Sequence, residues 1–143
     1  MTSGLSLIFG FLAASAALLL QVFVSIFVAT PLATTTSLPI LAGAAAIEES
    51  AKLIFLIRLG RWSENSITFA QAALFGTGFA ATEITLSLLS SPHVSDIAAI
   101  VGIHLFGALA IYSGLRCQKR FSMGPAAGLL IAISVHVLYN SSL

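Results

Sequence analysis

Five apolar stretches of about twenty residues follow one another along this chain and leave only short connections between them. About 20 apolar residues in helical conformation cross the hydrocarbon core of a bilayer, and a helix satisfies every backbone hydrogen bond where lipid supplies no partner. On that ruler the spans fall at 5–29, 38–59, 67–89, 96–115 and 122–142. The expected fold is an all-α, polytopic membrane bundle of about five transmembrane helices, one domain over 1–143. Breakers sit between the spans: Thr30-Pro31 through Pro39, Gly60 to Ser66, Ser90-Ser91-Pro92, and Arg116 to Phe121. Pro125 falls in the first turn of the last helix, where its missing N–H costs little.

Composition agrees. Only 8% of the residues are charged and 58% are hydrophobic, against about 25% charged in soluble domains. So few charges cannot cover a water-facing surface. The net charge of +1 gives no footprint for nucleic acid. The lone Cys117 excludes an intrachain disulfide framework and a Cys-rich zinc site. The first stretch has no basic residue before it and is longer than the roughly 7–15-residue core of a signal peptide, so it reads as a span.

Basic residues set the orientation. Arg58 and Arg61 flank the second connection, and Arg116, Lys119 and Arg120 lie in the fourth, whereas the first and third have none. Cytoplasmic loops collect Lys and Arg. The N-terminus is therefore expected inside and the C-terminus outside.

The sixth basic residue, Lys52, lies mid-span, and it has company. Glu48 and Glu49 share its helix, Glu83 lies in the third span, His104 in the fourth, and His136 and Asn140 in the fifth. A charge at the membrane centre costs about 2.5–3.5 kcal/mol on insertion scales, so such residues turn to the bundle interior and usually serve a function. Counting inward from the outer ends of the spans, Glu48 lies about ten residues in, His104 about eight, and Glu83 and His136 about six. At 1.5 Å per residue these four fall in a slab about 6 Å thick. Small residues recur on the same stripes: Gly128, Ala132, His136 and Asn140; Gly76, Ala80, Glu83 and Ser87; Ala44, Ala45, Glu48, Glu49 and Lys52. Small residues let membrane helices approach closely, so the polar groups belong in helix–helix seams.

The chemistry follows from the residue types. Glu48 and Lys52 have the spacing of an i,i+4 pair. A carboxylate beside two imidazoles accepts a proton from water or binds a metal with them. His104, His136 and one or two carboxylates match the ligand count of a catalytic Zn2+ with a water in its open position. Asn140, one turn past His136, is placed to donate to an oxyanion.

The order Glu48-Glu49-x-x-Lys52, then Gly78-Phe79-Ala80-x-x-Glu83, a mid-helix His104 and His136-x-x-x-Asn140 resembles the PrsW family of intramembrane proteases. More distantly it is similar to the CAAX prenyl endopeptidases and the bacteriocin-processing or immunity proteins grouped with them. The resemblance covers residues 43–140, four of the five spans. It implies a bacterial or archaeal plasma membrane and cleavage of a membrane-protein or membrane-proximal peptide, with Glu48 or Glu49 activating water, and Glu83, His104 and His136 holding a metal or a proton. The chain departs at Ile84, which follows Glu83 where an Asn is expected, and it is shorter than most relatives.

Plainer readings stand beside these. Glu48, Glu49 and Lys52 could serve as a packing charge pair, Glu83 as a protonated packing residue, His104 as an interhelical hydrogen bond, and Asn140 as a helix-end cap. His93 and Asp96 read as solvated residues, with Ser95-Asp96 as a helix start. Trp62 and Tyr139 read as interface anchors. The rival functions are a small proton- or cation-coupled transporter, since Glu and His chains also relay protons, and a non-catalytic immunity or scaffold protein. Transporter sites are usually marked by Gly- or Pro-interrupted half-helices; the polar spans show none.

Overall fold

The computed structural model describes residues 2–27, 37–63, 66–88 and 94–142, and side chains at all of these except 2, 27 and 94–96. Five helices make up the fold, α1 (Thr2–Phe27), α2 (Leu38–Trp62), α3 (Phe69–Leu88), α4 (Val94–Cys117) and α5 (Gly124–Asn140). There is no strand among the described residues. Most of the first connection, the whole of the third, His93 and the side chains of Ser95 and Asp96 lie outside the described residues.

The helix ends differ from the sequence reading by up to three residues, two of them for an evident local reason. Gly60 does not end α2, because the helical ladder continues through it to Trp62 and closes with Ser63 N–H on Leu59 O at 3.0 Å. α3 starts at Phe69, two residues later than its apolar pattern, because Thr68 and Gln71 form a reciprocal cap. The Gln71 N–H donates to Thr68 Oγ1 at 3.2 Å, and the Thr68 N–H donates to Gln71 Oε1 at 2.8 Å. This Thr-x-x-Gln arrangement satisfies two otherwise orphaned donors. Pro125 sits in the first turn of α5, as its fixed φ favours.

The helices close into a ring. α1 packs on α2 and α3, α3 on α4, α4 on α5, and α5 on α2, with a smaller contact between α2 and α4 across the middle. Chain neighbours run in opposite directions: Phe9 meets Phe55 and Trp62, while Gln21, further along α1, reaches Ala44 and Glu48 near the start of α2. The α4–α5 seam is built from backbone. A Cβ added at Gly128 would lie 2.6 Å from the Ala110 carbonyl oxygen, and Gly114 and Gly124 face each other one turn away.

The bundle is inverted in polarity. Glu49, Lys52, His104 and His136 are buried, whereas Leu19, Phe23, Ile26, Ile54, Leu130 and Leu138 are more than half exposed. Exposed apolar area on this scale marks contact with lipid or with another protein. The segments Ser3–Ile26 and Ile97–Cys117 are long and apolar enough to cross a membrane, and α5 is equally apolar but shorter. α2 carries Glu48, Glu49 and Lys52 in its middle, so the residues that build the interior also lower its hydropathy.

Candidate functional site

The interior of the ring gathers one side chain or more from every helix. α2 supplies three, because Glu49 and Lys52 lie on its buried face with Ala45, Leu56 and Leu59, and Glu48 lies at the edge of that face toward α1. α5 brings His136 on the stripe of Gly124, Gly128 and Ala132.

The contacts form one continuous chain. Lys52 Nζ donates to Glu49 Oε1 at 2.6 Å and to His104 Nδ1 at 2.8 Å. An ammonium has no acceptor, so Nδ1 of His104 is the unprotonated nitrogen and Nε2 carries the hydrogen. That Nε2–H meets Glu83 Oε2. At the other end His136 Nδ1 lies 2.8 Å from the same Glu49 Oε1. A carboxylate oxygen accepts, so Nδ1 donates, and in the neutral ring Nε2 of His136 then carries the lone pair. It lies 3.7 Å from Glu48 Oε2.

Packing holds this chain in place. Lys52 Nζ sits 4.5 Å from the centre of the Phe79 ring, a cation–π distance, and Phe79 also packs on His104 at 4.8 Å. The two imidazoles are 5.5 Å apart, edge to face. Gly107 makes room for Glu49, since a Cβ there would lie 2.6 Å from Glu49 Oε2. Glu48 Oε2 and Glu49 Oε2 are buried and have no hydrogen-bond partner among the described residues. Buried carboxylate oxygens are costly to leave unmatched. Access runs from one side, where a cavity of about 150 Å³ between α1 and α3 is lined by Gln21, Glu48, Thr82 and Glu83.

Glu48, Glu49, Lys52, Glu83, His104 and His136 are thus together. The details differ from the spacing argument. Lys52 pairs with Glu49, at i,i+3, and not with Glu48 at i,i+4. The three residues whose ligand atoms lie within 4.8 Å of one another, and which could hold a metal ion, are Glu48, His104 and His136; Glu83 instead meets His104 Nε2. Asn140 is half-buried, and no described hydrogen bond links it to the cluster.

Sequence reasoning missed Gln21. Its Nε2 donates to Glu48 Oε1 at 2.9 Å and to the Ala44 carbonyl at 3.3 Å. The signal was available: Gln21 is the one amide side chain in the first span and sits about as far from that span's outer end as His104 does from its own. Gln21→Leu is expected to lower unfolding stability by about 1–3 kcal/mol, the cost of stranding a buried acceptor. A smaller effect of the same change in a Glu48→Leu background, read from unfolding curves in detergent, checks the pairing.

No family model, curated protein or solved structure matches this chain.

Proposed function

We propose that the chain is a five-span membrane bundle that hydrolyses peptide bonds within or beside the bilayer, with Glu48 as the base. The observation that carries this reading is a buried carboxylate oxygen without a hydrogen-bond partner, Glu48 Oε2, set 3.7 Å from His136 Nε2, which carries a lone pair in the neutral ring. Two acceptors at that separation suit a water that donates a hydrogen to each. The polar interior and apolar exterior support the five-span arrangement, and the order of Glu, Lys, His and Asn motifs that resembles the PrsW proteases supports the reaction class.

In that reaction Glu48 takes a proton from the water while its oxygen forms a bond to the scissile carbonyl carbon. The carbonyl oxygen becomes an oxyanion, and the N–H donor proposed for it is Asn140, one turn beyond His136 along α5. The carbon–nitrogen bond then breaks and the amine leaves with the proton that Glu48 had taken. Gln21 fixes one oxygen of Glu48 so that the other is free for this work. Glu49 orients His136 through Nδ1, and Lys52 balances the charge of Glu49. A general base of this kind contributes about 10²–10⁴ in rate.

A zinc-dependent version rests on the spacing of Glu48, His104 and His136. The donor set fits it poorly. Both nitrogens of His104 are engaged, one by an ammonium, so only Glu48 and His136 remain free where a catalytic zinc takes three protein ligands. The expected result is that cleavage survives chelation and that purified protein carries well under one zinc per chain. Loss of activity on chelation, with about one zinc bound, would replace the glutamate mechanism by the metal one.

The hydrogen-bonded run from Glu83 through His104, Lys52 and Glu49 to His136 also supports a second reading, a proton path. One experiment separates the two. The full chain in liposomes is offered a library of membrane-anchored reporter peptides, and fragments are read by mass spectrometry beside a proton-flux dye. Fragments without flux support hydrolysis. Flux without fragments, abolished by Glu83→Gln, supports the relay.

A further inference from the structure

The end of the bundle opposite the outward-facing part of the cluster holds a second cavity, of about 410 Å³, where α2 and α4 finish and the chain enters α3. Two arginines line it, Arg61 from α2 and Arg116 from α4, together with Tyr112, Gln118 and Ser66. No acidic residue is among its described lining. Ile57 and Leu115, both partly exposed, give the cavity an apolar wall beside the arginines.

We propose that this cavity binds the phosphate of an anionic phospholipid, clamped by Arg61 and Arg116, with the start of an acyl chain along the apolar wall. The guanidinium is planar and presents paired donors that match phosphate oxygens. Arg116 does not swing freely: its Nη1 donates to Ser66 Oγ at 3.0 Å, which ties it to the entrance of α3. Tyr112 and Gln118 add neutral donors in the same space. Free phosphate would gain nothing from Ile57 and Leu115, whereas a lipid uses both halves of the cavity. Basic pockets between membrane helices on the cytoplasmic side suit lipid headgroups, and this end is the one that the basic connections assign to the cytoplasm. The competing account is that each arginine merely complements the end of its own helix, since both lie in last turns; that account needs no shared cavity.

The proposal rests on the membrane part of the reading above and is independent of the hydrolytic part. The test uses the full chain purified in detergent and loaded with phosphatidylglycerol or phosphatidylcholine, with retained lipid counted by native mass spectrometry. Phosphatidylglycerol is expected to be retained in preference, and the double variant Arg61→Gln/Arg116→Gln to hold about tenfold less of it, the scale of lost charge-assisted contacts. Ser66→Ala, which keeps both charges and disturbs the fold little, should lose a smaller share. Glu48→Gln should retain lipid as the parent does, so failure of the hydrolytic reading cannot be mistaken for failure here. Equal retention of the two lipids, or equal retention by parent and double variant, would overturn the proposal. Displacement of the lipid by inorganic phosphate at its own binding strength would transfer the site to a soluble anion and overturn the lipid assignment.

Discussion

Glu48→Gln, Glu49→Gln and His136→Ala should each slow cleavage of a membrane-anchored reporter at least about a hundredfold, the lower end of what a positioned acid–base group supplies. The three changes reach that loss by different routes. Glu48→Gln replaces the unpartnered acceptor facing His136 by an amide that cannot take a proton from water. Glu49→Gln keeps the shape but exchanges one shared oxygen, which now serves both Lys52 Nζ and His136 Nδ1, for a weaker acceptor. His136→Ala removes the second acceptor against which a water is held. The helices are packed elsewhere by Leu56, Phe75, Ala108 and Ile111, so Glu48→Gln and His136→Ala should elute and melt as folded proteins, whereas Glu49→Gln strands the buried Lys52 and should melt lower while still eluting as a folded protein. Rates unchanged in all three would end the hydrolytic reading.

Lys52→Met should lower stability by about 3–5 kcal/mol, the usual cost of removing one partner of a buried ion pair. Lys52 is fully buried, donates to α4 through His104 and balances Glu49 on its own helix. Methionine fills most of the same volume, so the loss would come from charge and hydrogen bonding and not from a void. The double change Lys52→Met/Glu49→Gln removes the stranded carboxylate too and should recover more than half of the loss. Equilibrium unfolding in mixed micelles measures both. A Lys52→Met protein that unfolds like its parent would show that this pair does not hold α2 to α4.

Much of this arrangement could be read from the residues. Helix identity followed from the lengths of the apolar runs, and every helix end falls within about three residues of its expected place. The shared depth of Glu48, Glu83, His104 and His136 was legible because rise per residue converts counting into height, and alternate helix direction makes equal height informative. Rotation about each helix axis was not legible to the same degree. Glu48 and Glu49 are about 100° apart around α2, and sequence spacing cannot say which one turns toward α4; the gap at Gly107 decides it in favour of Glu49. The pairing of Lys52 then follows its neighbour. Gln21 was passed over because one amide in a long apolar run looks like a tolerated exception, and only the position of α1 beside α2 shows that it meets a carboxylate. Thr68 and Gln71 were passed over for a related reason: their cap lies at the edge of an apolar pattern, where hydropathy has no resolution.

The glycine contact between α4 and α5 bears on how precisely the chemistry can be kept. Where two helices touch through side chains, a rotamer change alters their spacing; where main chain rests on main chain, nothing is left to adjust. The spacing of the helices that carry the two imidazole rings is therefore set by peptide geometry, and any substitution that adds a Cβ at Gly114, Gly124 or Gly128 would push those rings apart before it touched either one.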